Sequence, residues 1–392
     1  MRKQPQPWLY TAWADLVFVI APAFVVTAIV EAFPGAFDAG REVTPWMWLL
    51  LVVGIDVAHV YSTLYRTYLD PGARQRYQWL LIAAPVLCWV GGAVLYSMGS
   101  LVFWRVLAYL AVFHFVRQQY GFLRLYARRD QAPEWVRKLE AAAIYSATLY
   151  PLLYWHTHPR SFVWFIQGDF LKITAPVLAR VGLWLYLTIL SAYVGVEAWR
   201  SWRAGRVNGP KNLILAGTAL SWYVGIVRHD GDLAFTVTNV VAHGVPYMAL
   251  IWFYQRKQEK TASSEPERRF LARWFHPAMI PAFLGLLVAL AYFEEGLWDV
   301  FVWREHAQFF GWLSFLPPVD DEIVLRALVP LLALPQSTHY VIDGFIWRVR
   351  EMRPATSRTC TTCAMPLRAR RWHHKAERSA TIPDESLTSP AG

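Results

Sequence analysis

The chain has 392 residues, of which 56% are hydrophobic and only 17% charged. A soluble domain of this size carries roughly a quarter charged residues, so the balance excludes an ordinary water-soluble fold. The net charge of +10 would suit a nucleic-acid partner, but the basic residues fall in alternate loops and near the C-terminal end, a pattern that membrane topology explains without nucleic acid.

Apolar runs of about 20 residues recur along most of the chain, the length that crosses a hydrocarbon core. The 21 tryptophans and 19 tyrosines suit interfacial aromatic belts. Taken in order, the runs predict an all-α transmembrane bundle of about ten spans, near 9–31, 46–66, 78–98, 102–124, 140–157, 176–199, 210–227, 232–255, 277–300 and 323–347. The first is too long for a signal-peptide core and lacks a small-residue cleavage site, so it is read as a span. Arg74 and Arg76 follow span two, and Arg128, Arg129, Arg137 and Lys138 follow span four. Arg200, Arg203, Arg206 and Lys211 follow span six, and Arg256, Lys257, Lys260, Arg268 and Arg269 follow span eight. The intervening loops are neutral, mixed or acidic, as in "VDDE" at 319–322. This alternation places both termini in the cytoplasm of a multi-pass protein of a bacterial-type inner membrane.

Residues 1–348 are expected to form the bundle, and 349–392 a disordered basic cytoplasmic tail. Cys360 and Cys363 in that tail have the spacing of half a zinc knuckle, and are read as inert. Glu294 and Glu295 are expected to reach the outer headgroup region, and Arg66, Arg124 and Arg348 to snorkel to the inner one. The oligomeric state is left open.

Four histidines fall inside spans: His59, His114, His243 and His339. Ionisable residues at such depth are rare and mark functional sites by default. All four spans run from outside to inside, and the histidines lie about eleven to sixteen residues in, a layer only about 8 Å thick. Each has polar company three or four residues away on its own helix: Asp56 for His59, Arg117 and Gln118 for His114, Asn239 for His243, Gln336 and Asp343 for His339. Asp15 in span one could also reach the layer.

Imidazole suits iron, copper, zinc and nickel, and metal-bound imidazoles usually donate their other N–H to an oxygen. His59, His114, His243 and His339 are the expected metal ligands. Asp56, Gln118, Asn239 and Asp343 would orient them or complete the site, and Arg117 would steady substrate or charge. A lone membrane histidine is often only a hydrogen-bonding contact between helices, but four at one depth favour a metal. Non-haem iron is favoured over haem b, because the histidines form one layer rather than pairs at two depths and no CxxCH motif is present. The expected partners are membrane lipids and a lipophilic small-molecule substrate. A proton relay in a transporter is the third reading.

With "DVAHVYST", "HFVRQQYG", "VVAHGVPY" and "STHYVIDG" in place, the layout over spans two to ten resembles the Brp/Blh-type bacterial carotene dioxygenases, multi-span proteins whose intramembrane histidines hold one iron. These stretches do not match that family's histidine pattern residue by residue, and its members have about eight spans. The resemblance implies an iron oxygenase acting on a lipophilic substrate such as a carotenoid, another isoprenoid or an acyl chain.

Overall fold

A computed structural model describes residues 6–38, 40–41, 43–158, 163–259 and 273–347. The expected tail, with Cys360 and Cys363, and Arg348 lie outside the described residues. The described residues form helices joined by turns and short loops, with no strand among them.

Seven helices are long and apolar enough to cross a membrane: α1 (Ala12–Ala32), α2 (Pro45–Arg66), α3 (Pro71–Ser97), α4 (Ser100–Tyr126), α6 (Pro176–Ala204), α8 (Asp232–Gln258) and α9 (Pro277–Trp303). The other expected spans are helical too. They are α5 (Glu134–Thr157), α7 (Gly209–Trp222, continued to Arg228 by a π-helical turn), α10 (Glu322–Leu332) and α11 (Leu334–Ile346). The tenth expected span is therefore broken at Ala333, because Pro335 has no N–H to donate and begins a new helix instead.

Local chemistry sets the helix starts. Pro45, Pro71, Pro176 and Pro277 stand in first turns, where their missing N–H costs nothing. Thr11, Asp70, Asn208 and Asp321 accept first-turn N–H groups, for example Asp70 Oδ1 from Gly72 N at 2.9 Å and Asp321 Oδ1 from Val324 N at 3.0 Å. Within the apolar stretches, α6 is 11% buried and α3 17%, against 67% for α8. Helices α3 and α6 thus turn apolar side chains such as Trp79, Leu87 and Trp184 outward, as a hydrocarbon surround requires, and α8 runs through the centre.

One end of the bundle is tied by ions. Lys211 opens α7 and is fully buried, with Nζ donating to Glu140 Oε1 at 2.9 Å and Glu197 Oε2 at 3.0 Å, and lying 3.1 Å from Asp130 Oδ2. Arg124 Nη1 reaches Glu140 Oε2 at 2.8 Å. Neither Lys211, expected in an exposed basic loop, nor Arg124, expected to snorkel, goes to open solvent. Arg66 is also buried, its guanidinium 4.1 Å from the centre of the Tyr254 ring. Each cation found an internal partner that the loop pattern does not encode. Removing one partner of a buried ion network leaves unpaired charge, at a cost of about 3–5 kcal/mol. Lys211→Ala is accordingly expected to lower the thermal unfolding temperature of detergent-purified protein strongly, whereas Lys138→Ala, whose Glu134 pairing is exposed, should leave it nearly unchanged.

Candidate metal centre

Four helices deliver the four histidines: α2 carries His59, α4 His114, α8 His243 and α11 His339. All are buried, and they meet. His59 Nε2 and His243 Nε2 stand 3.1 Å apart, as do His114 Nε2 and His339 Nε2. His114 joins the pairs: its ligand atoms lie within 4.8 Å of those of His59 and His243 in one set, and of His339 and Asp343 in another. The ring centres of His59 and His339 are 5.1 Å apart, and those of His114 and His243 5.0 Å.

Two local devices make this convergence possible. The first is helical widening just before two of the histidines. Leu49–Val57 in α2 and Thr236–Val240 in α8 are π-helical, a form common at functional sites, and they shift the register at which His59 and His243 enter the core. The second is glycine. A Cβ on Gly244 would sit 2.7 Å from Ile55 Cγ2 and 3.1 Å from Ile55 O, so only glycine lets α8 come this close to α2 beside the His59–His243 pair.

The surrounding groups divide into those that touch the imidazoles and those that do not. Thr63 Oγ1 is 2.7 Å from His339 Nδ1 and 2.9 Å from the Tyr247 hydroxyl. That hydroxyl donates to Asp343 Oδ1 at 2.5 Å. Asp343 lies under two rings at once, 3.8 Å from His339 Nδ1 and 3.9 Å from His114 Nδ1. Asp56 Oδ1 is 3.7 Å from His59 Nδ1. Phe115 stacks on His243, with ring centres 3.6 Å apart and planes 5° from parallel.

Gln118 approaches the centre differently from the expectation: its Nε2 donates to the backbone oxygen of His243 at 2.8 Å, fixing the helix rather than the ring. Asn239 donates to Phe235 O at 3.4 Å and Thr238 Oγ1 at 3.0 Å, within its own π turn. The wider turn removes the α-helical stacking by which a spacing of four would have put it against His243.

Three expectations are corrected. Arg117 is exposed and donates to the Tyr145 hydroxyl at 2.5 Å, with its guanidinium beside Tyr120, so it does not enter the histidine cluster. The face toward α5 offers its guanidinium a polar partner in the Tyr145 hydroxyl. Asp15 accepts N–H groups from Leu9 and from Tyr10 at 3.0 Å and the Tyr126 hydroxyl at 3.2 Å, which ties down the chain entry away from the histidines. Glu294 and Glu295 are buried rather than interfacial, and Glu294 Oε2 accepts from the Tyr61 hydroxyl at 2.6 Å. Sequence reading missed Tyr247, Phe115 and Tyr340 as neighbours of the centre. Tyr247 follows His243 by four on α8, so the same-face rule could have found it.

A cavity of about 580 Å³ lies beside this centre: none of the four histidines lines it, but Asp56 and Tyr340, which neighbour His59 and His114, do. Its wall is mixed: five tryptophans (Trp48, Trp104, Trp164, Trp298 and Trp303) share it with the carboxylates Asp56, Asp232, Glu295, Asp299 and Glu305. The loop segment over it is held by Asp169, which accepts N–H groups from Trp164 at 3.0 Å and Phe165 at 2.7 Å.

Within each of the two pairs the spacing is that of two ligands on one ion, and the ligand atoms group in threes, His59 with His114 and His243, and His114 with His339 and Asp343. Neighbouring nitrogen ligands about 2.1 Å from one metal stand about 3.0–3.4 Å apart, and the two Nε2 pairs at 3.1 Å have that spacing. His59 Nδ1, His243 Nδ1 and Asp56 Oδ1 have no hydrogen-bond partner among the described residues, and buried polar atoms left so are costly. No protein-family model, curated protein or solved structure matches the chain. The functional reading therefore rests on these side chains alone. Gly244→Val is expected to push α8 off α2 at Ile55. In detergent it should lower the unfolding temperature by several degrees, whereas Gly285→Ala, with open space around its Cα, should not.

Proposed function

We propose that the chain is an integral membrane metalloprotein in which His59, His114, His243 and His339 hold one non-haem iron, and that it oxidises or oxygenates a lipophilic substrate. The observation that carries this reading is the meeting of four buried imidazoles from four helices, with Nε2 atoms 3.1 Å apart in two pairs. Iron held there would supply the oxidation chemistry, and the bundle would exclude water from it. Thr63 would orient His339 through its Nδ1, and Asp56 and Asp343 would supply negative charge 3.7–3.9 Å from the Nδ1 atoms of His59, His114 and His339. Phe115 fixes the plane of His243. The cavity, with its five tryptophans, suits a carotenoid, another isoprenoid or an acyl chain, brought to Tyr340 and Asp56 at the edge of the centre. Haem b is less well served, because a bis-histidine haem needs two imidazoles facing across a flat slot. Here the rings of His59, His114 and His339 crowd one another at 4.5–6.3 Å.

In this proposal the seven apolar helices are joined by α5, α7 and the broken α10–α11 pair to make ten crossings, with both ends on the cytoplasmic side of a bacterial-type inner membrane. A second reading, proton-coupled transport, draws support from Asp56, Glu295 and Asp299, which line the cavity beside the histidines. It predicts proton flux in liposomes and no bound transition metal.

Elemental analysis of protein purified without chelators separates the two. Stoichiometric iron is expected in the wild type and its loss in His339→Ala, and metal-free wild-type protein would sink the proposal. Thr63→Val, which strips the partner from His339 Nδ1, should weaken metal affinity about 10–100-fold in chelator competition. Arg117→Ala should retain wild-type metal content, since its side chain points away from the cluster.

A further inference from the structure

The end of the bundle where α4 finishes carries a second cavity, of about 590 Å³, with no part in the histidine centre. Its wall includes Arg129, Arg200 and Arg206 together with Ser201, Asp130 and Glu197. The wall's three arginines outnumber its two carboxylates. Both are held from behind by the buried Lys211 ammonium, at 3.1 Å from Asp130 and 3.0 Å from Glu197. Arg200 forms a long ion pair with Glu197, at 3.7 Å. The cavity is therefore a cationic pocket, and planar guanidinium groups match phosphate oxygens two at a time.

Its position relates it to the membrane. Helix α6 has 29 residues, a length of ~44 Å, against a hydrocarbon core of about 30 Å. Its last turns therefore emerge at headgroup level. On those turns Trp199 is 48% exposed and Trp202 80%, a placement typical of interfacial tryptophan. The Arg203 guanidinium lies 5.0 Å from the Trp199 ring. The arginine-lined cavity thus opens where a phospholipid headgroup would stand.

We propose that this cavity binds the headgroup of an anionic phospholipid, with Arg129, Arg200 and Arg206 holding its phosphate while the acyl chains lie along α6. The test uses the full chain in a neutral detergent, with thermal unfolding and native mass spectrometry after addition of phosphatidylglycerol, phosphatidylcholine or inorganic phosphate. Phosphatidylglycerol is expected to raise the unfolding temperature and to stay bound in the gas phase; phosphatidylcholine and phosphate are not. An Arg129→Gln/Arg206→Gln variant should bind phosphatidylglycerol at least about ten-fold more weakly, the loss expected from removing charge-assisted hydrogen bonds. Arg203→Gln, on the same helix but outside the cavity, should bind like the wild type. An unchanged lipid response in the double variant, an equal loss in Arg203→Gln, or an equal effect of phosphatidylcholine would overturn the assignment. Stabilisation by inorganic phosphate alone would make it a site for free phosphate and overturn it as well. Should the double variant fail to fold, Arg129→Gln alone carries the same comparison.

Discussion

Four imidazoles can gather inside a helical bundle only if the helices bearing them come close together. Here the approach of α8 to α2 meets that condition. It rests on Gly244, whose missing Cβ leaves room for Ile55, and on π turns in both helices just before His59 and His243. The remaining two histidines arrive on α4 and on the short α11, which begins afresh after the break at Ala333 and so can aim His339 independently of α10. The centre and the stacking of Phe115 on His243 follow from that close packing.

Charge is sorted along the bundle with the same economy. Among the described residues the imidazoles have a threonine and two carboxylates beside them, a tyrosine hydroxyl bonds one of those carboxylates, and the charge of Arg66 acts on Asp343. The cations have partners of their own: Lys211 and Arg124 among Asp130, Glu140 and Glu197, and Arg66 against Tyr254. Such sorting keeps fixed positive charge away from nitrogen lone pairs that could accept a metal, and it places a well-braced ion network at one end of the bundle. That network holds the carboxylates in the wall of the arginine-lined cavity, so that structural bracing and surface charge are coupled there.

The membrane-spanning character and the four histidines were legible because both depend on properties that sequence carries directly. Long apolar runs have few alternatives, and an imidazole within one must find company. Asp343 was legible for a similar reason, since four residues after His339 on an α-helix is the same face. The fates of Asn239, Arg117, Glu294 and Lys211 were not. The i,i+4 rule assumes α-helical turns, and the π turn around Asn239 breaks it. Proximity in sequence to His114 says nothing of which neighbour Arg117 can reach, and Tyr145 lies on another helix. Glu294 looked interfacial by depth alone, yet it bonds Tyr61, which is 233 positions away in the chain.

Sequence by itself determined that the described residues form apolar helices, four of them bearing a histidine within an apolar stretch, because hydropathy is local and additive. Only the tertiary structure decided that the imidazoles meet, which polar groups stand behind them, and that a cavity lies beside them. Those outcomes depend on the rotation of each helix about its axis. That rotation is fixed by contacts between residues remote in sequence, such as Gly244 with Ile55 and Thr63 with His339, and no local pattern encodes it.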